Sequence, residues 1–266
     1  MPDLYTVRDL HLSLPDMTRK PVFGAAPRVE ILKGISFTLP KGSVLGIVGG
    51  SGSGKSTLGR AMVRLLEPTA GTVQFGGTDV THMTQAQLRP LRRHFQMIFQ
   101  DPLSSLNPRH RVKTIIAEPL RLHGFDGIPA RVQRALDHVG LSRTLATRFP
   151  HELSGGQRQR VGIARAIAME PEFILADEIV SGLDVSSQAQ VLNLLEGLVQ
   201  DLGLTLAFIS HDLSVIRRLC ARVIVLHQGK IVEDRETSAL FSAPQAAYTR
   251  DLLAAIPLPD PDQVWV

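Results

Sequence analysis

The chain reads Gly49-Gly50-Ser51-Gly52-Ser53-Gly54-Lys55-Ser56-Thr57 between an apolar run, Val44 to Val48, and a helical pattern, Thr57 to Leu66. It matches G-x-x-x-x-G-K-[ST], a phosphate-binding loop that joins a strand to a helix. Glycines let successive backbone N–H groups converge on phosphate oxygens, and the helix adds its positive end. Lys55 supplies a charge for the β- and γ-phosphates, and Ser56 a hydroxyl for Mg²⁺. The stretch therefore predicts a nucleotide-binding strand–loop–helix unit.

Further strand-like runs predict a central, largely parallel sheet around this unit. With Val44 to Val48 they are Val7 to Leu14, Val29 to Leu39, Thr72 to Phe75, Phe95 to Phe99, Phe173 to Ala176, Thr205 to Ile209 and Arg222 to His227. The last three alternate with helical patterns, as strands joined by crossover helices do. The fold class expected is α/β.

The strand signal disappears from Asp101 to about Pro150, where Val112 to Leu122 and Ala130 to Val139 read as helices. We expect a single domain, with a core at 1–100 and 156–235. A helical subdomain at 101–155 is inserted into this core, and an extension covers 236–266. That extension holds a helix at about Gln245 to Ala255. The segment from Pro15 to Pro27 reads as an exposed loop.

Composition indicates a compact folded chain. Of its 266 residues 44% are hydrophobic and 20% charged, which argues against wholesale disorder. The single cysteine, Cys220, excludes an internal disulfide and lies in an apolar pattern typical of core packing. The N-terminus lacks a signal-peptide layout, and no apolar run approaches the roughly 18 residues that span a bilayer. We therefore expect a cytosolic chain.

The net charge of +4 raises the question of a nucleic-acid partner. Basic clusters occur at Arg89/Arg92/Arg93 and Arg109/Arg111/Lys113. Aromatic residues are only 5% of the chain and are not interleaved with these clusters, so no stacking platform for single strands is visible. We interpret the clusters as solvated faces, expect no nucleic-acid partner, and note that positive charge also favours an anionic membrane leaflet.

A second Ser/Gly-rich turn, Leu153-Ser154-Gly155-Gly156-Gln157, opens another predicted helix. Its backbone N–H groups can bind a second phosphate group. One nucleotide needs only one such loop, so the turn raises the question of whose nucleotide it serves.

Acidic and imidazole side chains follow two later strands. Asp177 and Glu178 end the apolar run that starts at Phe173, and His211 follows the run from Thr205. Open α/β sheets bind ligands at the carboxyl ends of their strands. Asp177 can there hold Mg²⁺ through water, Glu178 can polarise an attacking water, and His211 can hydrogen-bond a γ-phosphate. Taken alone, the two acids are equally compatible with a capping or surface role, and a lone histidine at such a position is more often structural.

Together these motifs resemble the ATP-binding subunits of ABC transporters over nearly the whole chain. The resemblance identifies, in the family's order, the phosphate loop Gly49 to Thr57, the glutamine loop at Gln100, the signature Leu153 to Gln157, the Walker B Asp177, the catalytic base Glu178, the D-loop Ser181-Gly182-Leu183-Asp184 and the switch histidine His211. It implies a P-loop NTPase core, with an N-terminal antiparallel β region and an inserted helical subdomain. The cofactors implied are ATP and Mg²⁺, with Ser56, Gln100 and Asp177 at the metal.

Two segments are similar to the dipeptide, oligopeptide, nickel and opine importer group: Phe99 to Arg109, and Pro244 to Leu253. Peptide is the leading cargo, with nickel chelates and opines as alternatives. The chain departs from the family where an aromatic residue usually stacks on adenine. Leu14 occupies that position, and Phe23 is the alternative. Ile179-Val180 stands where Pro commonly follows the catalytic base.

The resemblance also implies a mechanism and partners. Two such chains, identical or paralogous, pair head to tail, so that Ser154, Gly155, Gly156 and Gln157 grip the γ-phosphate of ATP on the partner. Lys55, Glu178 and His211 carry hydrolysis. Closure of this ATPase dimer is transmitted to two integral membrane permeases. A substrate-binding protein delivers the cargo on the far side of the membrane. The expected location is the cytoplasmic face of a bacterial cell membrane.

Two other classes of protein remain open at this stage. A non-transport ABC ATPase would normally carry a coiled-coil insertion or two tandem ATPase halves, and this chain has neither. A regulatory nucleotide binder would tolerate the loss of Glu178 or His211, and both are present.

Overall fold

The computed structural model of this chain describes residues 2–21, 24–101 and 105–255. The strands are β1 (Asp3–Pro15), β2 (Arg28–Pro40), β3 (Val44–Val48), β4 (Ala70–Phe75), β5 (Thr78–Asp79), β6 (Phe95–Ile98), β7 (Phe173–Asp177), β8 (Thr205–Ile209), β9 (Arg222–His227) and β10 (Lys230–Glu236). The α-helices in this part of the chain are α1 (Lys55–Met62), α2 (Gln85–Leu91), α3 (Val112–Leu122), α4 (Ile128–His138), α5 (Gly155–Ile167), α6 (Val185–Leu202), α7 (Leu213–Leu219), α8 (Thr237–Ser242) and α9 (Ala247–Ala254).

The larger sheet has the strand order β10-β9-β3-β8-β7-β6. All neighbours in it are parallel except β10, which runs antiparallel to β9. Its inner strands are buried, as the continuous apolar runs predict, and every residue of β7 and β8 is buried. The prediction of a largely parallel central sheet is confirmed.

The smaller sheet, β2-β1-β4-β5, is antiparallel and confirms the expected N-terminal β region. Between β1 and β2, Asp16 accepts a hydrogen bond from Thr18 N–H and begins a short 3-10 turn, Met17–Arg19. Asp16 N–H also donates to Pro27 O at 2.7 Å, which closes the loop at its base. Phe23, one candidate for adenine stacking, lies outside the described residues.

Two hydrophobic clusters cover opposite faces of the central sheet. In β7, Ile174 and Ala176 belong to the cluster formed with α3 to α7, whereas Phe173 and Leu175 belong to the cluster formed with α1 and the small sheet. This follows from the period of two along a strand. The described part of the chain therefore has three layers, with the parallel sheet in the middle.

Strands β5 and β10 were not predicted. β10 carries five charged residues among its seven, Lys230, Glu233, Asp234, Arg235 and Glu236, and so lacks the apolar run of a buried strand. As the edge strand it needs only one covered face, which explains why a charged sequence can form it.

The helices between β6 and β7 match the predicted positions closely. α3 has the predicted bounds, while α4 starts two residues before the predicted Ala130. Gly127 adopts a positive φ of 62° at the N-cap, and Pro129 fits the first helical turn because its missing N–H would be unpaired there. The division into core, helical subdomain and extension stays a prediction.

Within the described ranges, none of the helices combines the length and the apolar character that crossing a membrane requires.

Cys220 is buried against the helical layer, as the sequence predicts. Burial raises the pKa of its thiol well above the ordinary value, so this cysteine is an inert packing residue.

Candidate nucleotide-hydrolysis site

Four neighbouring strands bring the sequence-predicted residues to one edge of the central sheet. The phosphate loop follows β3, His211 follows β8, Asp177 and Glu178 lie at the end of β7, and Gln100 follows β6. These strands stand side by side in the order β3-β8-β7-β6 and run parallel, so their carboxyl ends meet. Residues more than 150 positions apart in sequence thus share one crevice.

Glycines shape the phosphate loop where no side chain would fit. Gly49 has a φ of 150°, and a Cβ atom there would lie 2.2 Å from Leu226 O and 2.8 Å from Ser53 Oγ. Gly54 has a φ of 103° at the N-cap of α1, a conformation that L-residues with side chains rarely adopt. The loop therefore turns directly from β3 into α1, and the first helical N–H groups remain available at its mouth.

Lys55 lies folded back over the loop. Its Nζ donates hydrogen bonds to Gly49 O at 2.8 Å and to Gly50 O at 2.9 Å. Burial lowers the pKa of this ammonium, and the charges of Glu178 and Asp177 partly offset the effect. A buried cation facing two acids in this way is well placed to attract phosphate oxygens.

Ser56 and Asp177 form the second pair at the loop. Ser56 Oγ donates to Asp177 Oδ1 at 2.9 Å, and Arg60 Nη2 lies 3.9 Å from Asp177 Oδ2. Asp177 is only 3% exposed. Burial raises the pKa of its carboxyl, and the hydrogen bond from Ser56 only partly counters this. A hydroxyl beside a desolvated carboxylate is a donor set that suits Mg²⁺.

Glu178, Gln100 and His211 form a third group beside this pair. Gln100 Nε2 donates to Glu178 Oε2 at 3.1 Å, and His211 Nδ1 lies 3.6 Å from Glu178 Oε1. Glu178 has a φ of 49°, and its N–H donates to Ile209 O on β8. It borders a cavity of about 150 Å³ together with His211 and the loop of Ser181 and Gly182. The hydrogen bond of Gln100 thus goes to Glu178, and its place at the metal stays a prediction.

The signature turn opens α5 through a reciprocal capping box. Ser154 Oγ accepts from Gln157 N–H at 3.2 Å, and Gln157 Oε1 accepts from Ser154 N–H at 3.0 Å. Leu153 packs in the helical cluster, on the face of the sheet opposite to α1. The N-terminus of α5 therefore belongs to a different layer from the helix that follows the phosphate loop.

The residues present fit a nucleotide phosphate at the loop. Ser53 Oγ is buried and has no hydrogen-bond partner among the described residues, although it lies next to Gly49. A buried hydroxyl without a partner is costly unless something else bonds to it. Lys55 and the Ser56–Asp177 pair lie at the same loop. These groups can bind a phosphate together with a divalent cation.

Leu14 and Tyr248 lie outside the three groups described above. Leu14, the other candidate for adenine stacking, is half-buried and pairs with Val29 across β1 and β2; its role stays a prediction. Tyr248 of α9 was not assigned to the site, yet its hydroxyl oxygen accepts a hydrogen bond from Gly50 N–H at 2.7 Å. Nothing local in the sequence links these two residues, which are 198 positions apart.

The fold and the site define a P-loop ATPase of the cassette type. The family described as ABC transporter matches residues 32–181, more than half of the chain. The chain belongs to this family and is an ATP-binding, ATP-hydrolysing subunit.

Relatives in known proteins agree with this assignment. A Brucella ovis protein provisionally named a peptide import ATP-binding protein is 52% identical over 237 residues, which are 88% of this chain and 75% of that protein. The oligopeptide transport ATP-binding protein AppF of Bacillus subtilis is 49% identical over 86% of this chain and 71% of its own length. A solved dimer of the ATP-binding cassette MJ0796, in a post-hydrolysis state with ADP and Pi, superposes with a TM-score of 0.76 at 27% identity, covering 88% of this chain and 98% of that chain.

Asp177→Asn is expected to raise the free energy of unfolding at neutral pH in protein freed of nucleotide and metal. The raised pKa means that folding disfavours the ionised carboxylate, so stability falls as the pH rises from the unfolded to the folded pKa. Asparagine carries no charge and keeps an oxygen for Ser56. Urea unfolding with EDTA present measures the change.

Asp212→Asn supplies a control of opposite sign. Burial raises the pKa of Asp212, but hydrogen bonds from Ser214, Gln188 and Val215 together lower it overall. Loss of that charge should therefore reduce stability at neutral pH. Equal destabilisation by both substitutions would contradict the assignment of Asp177 as a desolvated acid.

Proposed function

We propose that this ABC ATPase binds Mg²⁺ with ATP and energises the import of peptides, as one of two ATP-binding chains paired on membrane permeases. The observation that carries the proposal is the meeting of Lys55, the Ser56–Asp177 pair and the Gln100–Glu178–His211 group at one sheet edge. A regulatory nucleotide binder has no need of the third group.

In this proposal the phosphate loop holds the β- and γ-phosphates of ATP, and Lys55 balances their charge. Ser56 and Asp177, which are joined by a hydrogen bond, would hold Mg²⁺. The bound ion would neutralise charge on the phosphate oxygens. The buried carboxylate of Asp177, whose pKa is raised by desolvation, gains a cationic neighbour there, which supports this placement.

Glu178 orients the attacking water. Its two oxygens face Gln100 and His211, and these contacts restrict the orientation of the carboxylate. Water attacks the γ-phosphorus and gives up a proton to Glu178, while the bond to the bridging oxygen breaks and ADP leaves with the electron pair. Positioning and charge stabilisation supply most of such catalysis, and His211 contributes by hydrogen-bonding the γ-phosphate.

The site is completed by a second chain. The phosphate loop and the signature belong to helices on opposite faces of the sheet. Head-to-tail pairing brings Ser154, Gly155, Gly156 and Gln157 of one chain to the γ-phosphate held by the other. The dimeric state of the cassette MJ0796 supports this arrangement. ATP then joins the two chains, and hydrolysis removes the phosphate that joins them.

A groove next to Gln100 suits the permease contact. It has a volume of about 460 Å³ and lies between β6 and α3, with Phe99 and Leu122 among its lining residues. Both side chains are exposed although apolar, which is typical of a protein–protein contact. A permease segment bound there would move together with Gln100. Changes at the nucleotide site would thereby be transmitted to the permease. The proposal therefore includes the cytoplasmic face of the membrane as the location of the chain.

Peptide is the cargo that the relatives support. The Brucella ovis relative and AppF carry names for peptide and oligopeptide transport. The segments of this chain similar to that importer group, Phe99 to Arg109 and Pro244 to Leu253, agree with them, although Pro102 to Ser104 lie outside the described residues. A substrate-binding protein on the far side of the membrane would supply the peptide.

Glu178→Gln is expected to lower the ATPase rate by about 10² to 10⁴, the usual contribution of a general base. ATP should still bind, because the phosphate loop is unchanged. Steady-state ATPase assays and ATP titrations measure the two effects. Uptake of a labelled tripeptide by cells that carry the complete transporter should fall with the ATPase rate.

Glu172→Gln is the matched control, because Glu172 precedes β7 at its other end and pairs with Lys41 and His94. That variant should keep its ATPase activity. Full activity in Glu178→Gln would overturn the role of Glu178. Undiminished tripeptide uptake despite a lost ATPase would overturn the coupling to peptide import.

Ser154→Arg is expected to abolish hydrolysis while the monomer keeps nearly its full ATP affinity, because the signature acts on a partner's nucleotide. Equilibrium titration under dilute, monomeric conditions tests this. Ser142→Arg is the control: Ser142 is likewise exposed and caps the 3-10 turn Arg143–Thr147. A matching loss of monomer affinity in Ser154→Arg would argue for a signature that serves its own chain.

A further inference from the structure

The C-terminal helix α9 contacts the phosphate loop through Tyr248. Gly50 N–H donates to the hydroxyl oxygen of Tyr248 at 2.7 Å. The contact is close, since a Cβ atom on Gly50 would lie only 2.9 Å from that oxygen. Tyr248 lies outside residues 32–181, the part of the chain that the family match covers.

This hydrogen bond and one from Lys55 hold the same peptide group. Gly49 O and Gly50 N–H belong to the peptide that joins the first two residues of the loop. Lys55 Nζ donates to the oxygen at 2.8 Å, and Tyr248 accepts from the N–H on the other side. A Gly-Gly peptide has little intrinsic preference for one orientation. The two contacts together therefore select the orientation in which Lys55 stays at the loop.

Tyr248 is itself held on two sides. Its ring packs on His227 at the end of β9, with a centroid distance of 3.9 Å and an interplanar angle of 31°. The turn after His227 also contacts the loop, because Gly229 N–H donates to Ser53 O at 3.1 Å. Tyr248 thus contacts both the end of β9, through its ring, and the loop, through its hydroxyl.

The start of α9 is fixed by a buried acid. Glu233 of β10 accepts hydrogen bonds from the backbone N–H groups of Gln245 and Ala246, at 2.9 and 3.0 Å. A carboxylate at a helix N-terminus satisfies its unpaired N–H groups and interacts favourably with its positive end. The chain from β10 to α9 therefore presents Tyr248 from an anchored position.

We propose that Tyr248 is a positioning residue for ATP binding: its hydroxyl fixes the Gly49–Gly50 peptide and so holds Lys55 and the loop ready for the phosphates. The inference rests on the proposed use of this loop for ATP. The inference makes α9 part of the nucleotide site. A displacement of α9 would therefore weaken nucleotide binding.

Tyr248→Phe tests the inference, because it removes only the hydroxyl and keeps the ring on His227. The KM for ATP and the dissociation constant of MgADP should rise about 2- to 10-fold, the range expected for one hydrogen bond. The kcat should stay within about twofold of its original value, because Lys55, Glu178 and His211 are all retained in this variant. Hydrogen exchange of the Gly50 amide, measured without nucleotide, should become faster.

Tyr5→Phe is the matched control, since the buried hydroxyl of Tyr5 has no hydrogen-bond partner among the described residues and Tyr5 lies in the cluster around α1. It should leave the KM unchanged. Glu233→Gln, which weakens the anchor of α9, should raise the KM in the original chain and add little in Tyr248→Phe.

The outcomes separate this inference from the proposed function. An unmodified chain that binds no MgADP would overturn both. A chain that binds MgADP normally, with Tyr248→Phe equal to it in KM and in Gly50 exchange, would overturn the positioning role alone. A fall in melting temperature without a change in KM would likewise assign Tyr248 to structure only.

Discussion

The arrangement of this molecule depends on four parallel strands that end at one edge of a sheet. Because β3, β8, β7 and β6 are neighbours with a common direction, the residue that follows each strand enters the same crevice. The hydrogen bond from Ser56 to Asp177 joins the first of these ends to the third. Glu178 joins the third to the fourth through Gln100 and to the second through Ile209. The site is thus held by the adjacency of these strands and by hydrogen bonds between the residues at their ends.

The same sheet also keeps the phosphate loop and the signature turn apart. Along β7 the side chains alternate between the cluster that contains α1 and the cluster that contains α5, so the helices after the phosphate loop and after the signature occupy opposite faces. In the proposed dimer, one chain would contribute its phosphate loop to one site and its signature turn to the other. The second turn, which looks redundant in sequence, would then act on the nucleotide of the partner chain. The exposure of Ser154 at the start of α5 is compatible with that proposed contact.

The sequence predicted most of the core and the chemistry at its edge because both leave local signals. The phosphate loop shows as glycines between an apolar run and a helix, and β7 as five apolar or acidic residues that lead to Glu178. Where the signal is not local, prediction failed. β10 is an edge strand with a charged sequence, and the contact between Tyr248 and Gly50 joins positions 198 residues apart. Only the folded chain shows that α9 reaches the loop. The grouping of Gln100 with Glu178 likewise depends on the adjacency of β6 and β7.

The central claim is that each ATP is hydrolysed between two chains, and mixing two inactive variants tests it most directly. Lys55→Ala removes the phosphate-loop cation, and Ser154→Arg blocks the signature. In a mixture, a mixed dimer contains one site with an intact loop from one chain and an intact signature from the other. If the unmodified chain is active alone, we expect the mixture to recover up to about a quarter of its ATPase rate. Half of randomly formed pairs are mixed dimers, and each mixed dimer has one intact site of two. No recovery in the mixture, beside an active unmodified chain, would contradict a site shared between chains.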